Sequence, residues 1–348
     1  MTPEAVKRAT IEDVARRAGV SRAAVSKVIR GAYGVSASMR ERVEAVIEEL
    51  DYRPLISARG MRGATFTLGM ELPDIANQFF ARILSGATTA LETEPYQLVI
   101  APVDPDHSEG YRALEALADR QVDGLIAVSP RVDPRWLEEM SRRIPIVMLG
   151  RHDSSVGYDT VVGDDVSGVG MLMQHLLELG HREIAHLTLD DQHTRQGSGT
   201  PHSLRLAAYE ATMREAGLES SIQVARCDGG EDSAHQATLR LLASGARPTA
   251  IFAAHDELAI GVLSALTQRP DASEISVAGY DNIKQAGHPL IGLTSVDQPG
   301  EQMGASVVSL LLERLAGRTD AVHEVATPRL VPRSSTRPRI RTKGVTRS

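Results

Sequence analysis

Five side chains able to donate hydrogen bonds to a nucleic acid fall close together at Ser21, Arg22, Ser26, Lys27 and Arg30. A guanidinium is a planar fork of donors that matches the O6/N7 edge of guanine, while ammonium and hydroxyl groups match phosphate oxygens. Arg22, Ala23, Ser26, Lys27 and Arg30 recur at the spacing that puts them on one face of a helix. Such a helix fits the major groove of B-form DNA with its N-terminal residues against base edges. Arg22 is the candidate for a bidentate guanine contact, and Ala23 for a thymine methyl. Ser21, Lys27 and the amides at the helix starts, at Thr10 and Ser21, are candidates for gripping phosphates, which sets position without reading sequence.

The flanking residues dictate elements that would hold this face. Thr10 caps a first helix, with Asp13 as the reciprocal acid of a capping box. Ile11, Val14, Ala15 and Ala18 follow at helical spacing, and Gly19 ends the helix with a residue free to take positive φ. Ser21 caps the second helix, whose inner face is Ala24, Val25, Val28 and Ile29. A turn this tight, with small Ala15 at the crossing, describes a helix-turn-helix. A third helix is expected in "SASMRERVEAVIEELDY", capped by Ser36 or by Ser38 with Glu41, and contributing Val43, Val46, Ile47 and Leu50 to a small core. The plainer alternative is a three-helix scaffold for protein contact.

Charge supports the nucleic-acid reading. The 348-residue chain has a net charge of −7, but residues 1–63 carry +4, residues 64–328 carry −18, and residues 329–348 hold seven basic side chains and no acidic one. A basic front on an acidic body suits a polyanionic partner at the front only. The single cysteine, Cys227, excludes a disulfide framework and is expected to be a buried small hydrophobe. No stretch reaches the roughly 18 apolar residues needed to cross a bilayer, and the N-terminus lacks the apolar core of a secretory signal, so no membrane partner and a cytoplasmic location are expected.

From Thr65 apolar runs alternate with helical segments: "FTLGMEL", "YQLVIAPV", "VDGLIAVS", "IPIVML", then "EIAHLTL", "IQVARC", "TAIFAA" and "SVAGY". Alternating βαβ units imply an α/β fold with two doubly wound parallel sheets, divided near Val162, and a ligand cleft off the carboxyl ends of their strands. No catalytic constellation accompanies them. The "GVG" at 168–170 lacks the third glycine of a dinucleotide site, no Walker A sequence or Gly-x-Ser-x-Gly elbow is present, and His181 and His186 lack metal-ligand company and suggest a polar surface pair. Neither enzyme activity, nor a cofactor, nor a metal is expected.

The segments "TIEDVARRAGVSRAAVSKVI", "VSASMRERVEAVIEELDYRP" and "ARGMRG" resemble the lactose-repressor/galactose-repressor (LacI/GalR) family of bacterial transcription regulators, and the resemblance runs from Thr10 to about Arg337. It implies a DNA-binding domain at 1–54, a hinge at 55–63 and an effector-binding core of periplasmic-binding-protein type at 64–337, followed by a disordered basic tail at 338–348. In the hinge, Ala58 falls on the small packing position and Met61 on the position that wedges into the minor groove. Gly60 costs a helix about 1 kcal/mol relative to Ala, so a weakened coil-to-helix transition is expected. The core is expected to divide into lobe one, 64–162 plus 299–319, and lobe two, 163–290 plus 322–337, with the last crossing near Arg318–Val322.

Motif by motif, the resemblance places Asn77 and Phe79 ("PDIANQFF"), Asp164 ("VVGDD"), Arg205 ("RLAAY"), His255 ("AAHDELAIG", where the family commonly has Asn), Asp281 ("SVAGYDN") and Gln298 ("VDQP") in the effector cleft. Each also has a plainer reading as a cap or turn. Gly229 or Gly230 stands where the family often stacks an aromatic, and the loop "LDDQHTRQGSGTPHS" is long enough to remodel the cleft wall. The family's pattern implies a homodimer on near-palindromic double-stranded operator DNA, acting as a repressor controlled by a small effector, a sugar or related metabolite, that closes the cleft and shifts the hinges. The rivals are a transport-type small-molecule-binding protein and an effector-independent DNA-binding protein.

Overall fold

The computed structural model describes residues 9–29, 32–52, 64–103 and 110–339. The chain divides into two units at Thr65–Phe66.

The first unit is built from α1 (Ile11–Ala18), α2 (Arg22–Ile29) and α3 (Ala37–Glu49). Its first helix starts as expected: the Thr10 hydroxyl accepts from the Asp13 amide at 3.3 Å and the Asp13 carboxylate accepts from the Thr10 amide at 3.0 Å. Gly19 ends that helix at φ +64°, a conformation costly for a residue with Cβ. Ser21 Oγ accepts from the Ala24 amide at 3.2 Å, and Ser36 rather than Ser38 caps α3. Val14, Val25 and Val43, one from each helix, are fully buried, with Ala15, Ala18, Val28, Val46 and Tyr52 around them. Arg17 and Glu49 pair on the outside, joining α1 to α3.

The second unit holds two six-stranded sheets. One runs β11 (His323–Ala326), β5 (Asp159–Gly163), β4 (Ile146–Leu149), β3 (Gly124–Val128), β1 (Thr67–Leu72), β2 (Gln97–Pro102). The other runs β12 (Arg329–Val331), β10 (Thr294–Asp297), β9 (Ser276–Tyr280), β8 (Ala250–Ala253), β6 (Ile184–Leu189), β7 (Gln223–Cys227). All pairs are parallel except β10 with β12. Helices α4 (Gln78–Leu91), α5 (Tyr111–Asp119), α6 (Pro134–Ser141) and α11 (Gly300–Leu315) flank the first sheet, while α7 (Asp165–Glu178), α8 (Pro201–Glu215), α9 (Gly230–Ala243) and α10 (Asp256–Thr267) flank the second. In the first lobe α4 and α11 cross at backbone contact. A Cβ on Gly86 would overlap the Glu301 carbonyl, and one on Gly304 the Ile83 carbonyl.

The last crossing between lobes differs from expectation. β11 pairs with β5 in the first sheet, so the chain passes to the second lobe between Ala326 and Arg329 rather than near Arg318–Val322. Pro338 and Arg339 still belong to the ordered lobe, because the Arg339 amide donates to the Leu179 carbonyl at 2.8 Å; the rest of the expected tail, 340–348, lies outside the described residues. The strands that close each sheet, β5 and β10 to β12, carry polar or charged residues rather than apolar runs. Asp159 shows why: it is fully buried on β5, yet Arg314 and Arg318 donate to it at 2.7–3.0 Å together with the Val322 amide at 2.8 Å, so the charge is compensated and the strand can be interior.

Candidate functional site

In the first unit, Arg22, Ala23 and Lys27 are exposed on α2, on the side away from Val25 and Val28, and Ser26 is half-buried beside them. Arg22 Nη1 pairs with Glu12 Oε1 at 2.9 Å, and both side chains are more than 60% exposed, at 66% and 63%. An exposed pair of this kind contributes about 0–1 kcal/mol, so a nucleic-acid acceptor can displace Glu12 at small cost. The Thr10 amide and hydroxyl are both engaged with Asp13. Arg30, Ala58 and Met61 lie outside the described residues.

The second site is built around Arg205, on the first turns of α8 at the carboxyl end of the second sheet. Its Nε donates to Asp165 Oδ1 at 2.7 Å and its Nη1 to the Ala254 carbonyl at 2.6 Å. The guanidinium lies 3.8 Å over the Tyr280 ring and 3.7 Å from Asp281 Oδ1. Burial works against this charge, but Asp165 and Asp281 hold it ionised. Gln298, on the crossing after β10, donates Nε2 to Asp281 Oδ1 at 2.7 Å. Burial pushes the Asp281 carboxyl up to about 6, against the pull of Arg205 and Gln298.

Asp281 and Asn282 sit at φ +102° and +49°, two consecutive left-handed residues with side chains. Strain of this kind persists only where neighbours over-determine it. Here the Asp281 amide donates to the Val296 carbonyl at 2.7 Å, Ser295 Oγ accepts from the Asn282 amide at 3.0 Å, and Arg333 donates to Asn282 Oδ1 at 2.6 Å. From the other lobe, Arg82 on α4 donates Nη1 to the Asp281 carbonyl at 2.6 Å and to Asp297 Oδ1 at 3.0 Å, while Glu301 accepts its other nitrogens at 2.7–3.1 Å.

His255 stands at the N-cap position of α10 beyond β8 without a side-chain capping bond, and His202 lies beside it with ring centroids 5.6 Å apart. Burial pushes His255 down to about 3 and lowers His202 strongly, so both are neutral at pH 7. The Nδ1 atoms of both rings and Asp165 Oδ2 are buried with no hydrogen-bond partner among the described residues. Unpartnered buried groups are costly, and three of them around one arginine describe a surface that a hydroxyl-bearing ligand would complete.

The long loop reaches the first lobe. Arg131 of the first lobe donates to Gln192 Oε1 at 3.0 Å, and the His152 amide to the Gly199 carbonyl at 2.9 Å. His152 Nε2 also lies 3.7 Å from Asp165 Oδ2.

Of the expected cleft residues, Arg205, His255, Asp281 and Gln298 are brought together; three others serve locally. Asn77 caps α4 through the Phe79 amide at 2.9 Å. Asp164 caps α7, accepting from the Ser167 amide at 3.0 Å and hydroxyl at 2.6 Å, and these bonds lower its pKa. Phe79 packs in the core against Gly300, so its ring is not open for stacking. Gly229 and Gly230 take φ +104° and +73°, which explains why no aromatic stands there. His181 and His186 are buried rather than superficial, at 2% and 0% exposure. Sequence reasoning missed Asp165, His202, His152, Tyr280 and Arg82; the one signal available was the second Asp of "GDD", one residue beyond the one chosen.

A family model described as bacterial regulatory proteins, lacI family, matches residues 10–54, and one described as periplasmic binding protein-like domain matches residues 173–336. The ribose operon repressor of Escherichia coli (strain K12) is 33% identical over 340 residues, covering 94% of this chain and 99% of its own. Among solved structures, the lac repressor dimer bound to operator and an anti-inducer has a TM-score of 0.76 and 26% identity, covering 95% of this chain and 100% of that one. A ribose-bound LacI family transcriptional regulator from Enterococcus faecium has a TM-score of 0.70 and 25% identity, covering 79% of this chain and 100% of that one.

Proposed function

This chain belongs to the lacI family of bacterial regulatory proteins, and from that premise we propose that it is a homodimeric transcriptional repressor whose hold on operator DNA is set by a small polyhydroxylated effector, of the ribose class, bound around Arg205. The observation that carries the effector half is the set of unpartnered buried atoms, His202 Nδ1, His255 Nδ1 and Asp165 Oδ2, beside Asp281 and Gln298. Neutral imidazole nitrogens and carboxylate oxygens suit ligand hydroxyls, which both donate and accept. The ribose-repressor relative and the ribose-bound neighbour support the same chemical class.

In the DNA half, Arg22 exchanges Glu12 for a guanine edge and Ala23 meets a thymine methyl, while Ser21, Ser26, Lys27 and Arg30 hold phosphates, with the amide end of α1 at Thr10 beside them. Ala58 and Met61 serve in the hinge. Dimerisation follows from the need for two recognition helices in successive major grooves. The protein performs no catalysis in this scheme and works where the DNA is, in the cytoplasm. Among the described residues, no helix is long and apolar enough to cross a membrane, and no group of three or more His, Cys, Asp or Glu residues is placed to hold a metal ion.

The test is fluorescence anisotropy of the full chain on a site selected from random duplexes, repeated over a ribose titration. The expected result is a preference over competitor DNA of at least about a thousandfold at moderate salt, lost at one base position per half-site in Arg22→Ala, and an affinity that ribose changes by about 5- to 150-fold. No preference for any duplex site would overturn the DNA half. Preference without response to ribose or other neutral sugars would overturn the effector half.

A further inference from the structure

Strands β8 and β9 of the second lobe each have two ends in use. His255 and Asp281 follow their carboxyl ends, whereas Thr249 and Ile275, just before their amino ends, line a separate cavity of about 460 Å³. That volume lies in the range of small-molecule sites. Its floor is apolar, with Leu242 and Ile275, and its rim carries Arg247, Arg269, Arg337 and Arg339. These arginines come from three separated segments, one of them the basic run at 329–348, which the fold brings together.

The charge balance of the rim is uneven. Arg269 is matched by Asp271 through bonds of 2.9 and 2.8 Å. Arg247 spends Nη1 on the Ala246 carbonyl at 3.0 Å, and Arg337 spends Nε on the Ser334 carbonyl at 3.3 Å. Glu274 is the other acidic lining residue. Three guanidiniums thus stand against one unmatched carboxylate.

The segment that supplies two of them is held in place. The Arg337 amide donates to Ser276 Oγ at 3.0 Å, the Arg337 carbonyl accepts from His181 Nε2 at 3.0 Å, and the Arg339 amide donates to Leu179. A carbonyl can only accept, so His181 carries its proton on Nε2. This buried imidazole, held neutral by its burial, contributes anchoring without charge.

We propose that this cavity is a second ligand site, for a small phosphorylated metabolite whose phosphate lies among Arg247, Arg337 and Arg339 and whose organic part rests on Leu242 and Ile275. Guanidinium forks match phosphate oxygens bidentately. The effector cleft disfavours the same ligand: Asp165 and Asp281 flank Arg205, whose Nε and Nη1 are already engaged by Asp165 and the Ala254 carbonyl. The two ends of β8 and β9 therefore suit ligands of different charge, neutral at the carboxyl end and anionic at the amino end. This site stands whether or not the cleft binds a sugar.

The test is isothermal titration calorimetry on the full-length protein at low chloride with two probes, ribose 5-phosphate and inorganic phosphate, each against sodium chloride of matched ionic strength. Both probes are expected to bind. Tighter binding of ribose 5-phosphate assigns the site to organic phosphates, and equal affinities assign it to the free ion. Arg247→Gln with Arg339→Gln should weaken both probes by at least about tenfold, since each charged hydrogen bond contributes about that factor. Arg339→Gln alone, a change at an exposed side chain, should show a smaller loss and keeps the test open if the double variant fails to fold. Arg143→Gln on the first lobe should change nothing, and excess ribose should not displace either probe. No heat beyond the chloride control, unchanged affinity in the arginine variants, or displacement by ribose would overturn the proposal.

Discussion

Each of the two units sets an arginine–carboxylate pair at its recognition surface, and the two pairs do opposite work. Arg22–Glu12 on the three-helix unit is 2.9 Å long with side chains 66% and 63% exposed; Arg205–Asp165 in the core is 2.7 Å long with side chains 4% and 1% exposed. In water the first pair is held by less than about 1 kcal/mol. The second has lost its hydration, and removing one partner leaves an uncompensated buried charge. An exposed pair can trade its carboxylate for a guanine edge or a phosphate. A buried one is a fixed frame, and recognition there falls to the atoms the frame leaves unsatisfied.

The sharpest break of this contrast is Arg205→Ala. It strands Asp165 and Asp281 together, removes the cation over Tyr280, and should cost about 3–5 kcal/mol in urea unfolding. A cost below about 1 kcal/mol would mean that the pair is not a frame. Asp281→Asn comes next. It keeps an acceptor for Gln298 but removes the charge facing the ligand, so effector control of operator binding should fall by the whole coupling of about 1–3 kcal/mol while effector-free affinity stays within about twofold. An unchanged effector response in the anisotropy titration would take Asp281 out of the cleft's work.

How much of each region is legible in the sequence follows from the range of its interactions. The capping box of Thr10 and Asp13, the Gly19 turn and the faces of α1 and α2 involve residues at most five apart, so spacing alone predicts them. The apolar strands β1 to β4 and β6 to β9 are likewise read from their runs. The closing strands β5 and β10 to β12 are not, because buried Asp159, Thr294 and Ser295 read as loop residues until Arg314, Arg318, Arg333 and Asp256 are brought to them. Arg205, Asp281 and Gln298 are found through resemblance. Asp165 is not, since only the packing of α7 against α8 decides whether the first or second Asp of the pair caps the helix and which one turns to Arg205. Arg82 and Asp281 are 199 residues apart, and no local pattern links them.

Acid separates the two regions further. Residues 1–65 contain no histidine, whereas the core buries His255 and His186, each pushed down to about 3. In the unfolded chain these rings take up protons near pH 6.5, and in the folded core only near 3. Their contribution is therefore fully present above about pH 6.5 and is lost as pH falls toward 3. In His255→Asn the loss of unfolding free energy between pH 7 and pH 5 should shrink by about 1–2 kcal/mol relative to wild type, as read from urea midpoints at the two pH values. An unchanged pH slope would show that His255 is solvated and reopen the assignment of its Nδ1 to a ligand hydroxyl.

The smallest effect tests the other side of the contrast. If Arg22 is a reader held in reserve by an exposed partner, Glu12→Gln should leave stability within about 0.5 kcal/mol and tighten operator binding by no more than about fivefold, the worth of a surface pair. Loss of a carboxylate near phosphates would also tighten binding, but by a route that does not pass through Arg22. A double-mutant cycle separates the two. In an Arg22→Ala background the gain from Glu12→Gln should vanish if the ion pair is its source, and persist if general repulsion is. A vanishing gain places the energetic switch between the free and DNA-bound hairpin in one exposed, exchangeable ion pair, the arrangement that the buried Arg205 frame rules out for the core.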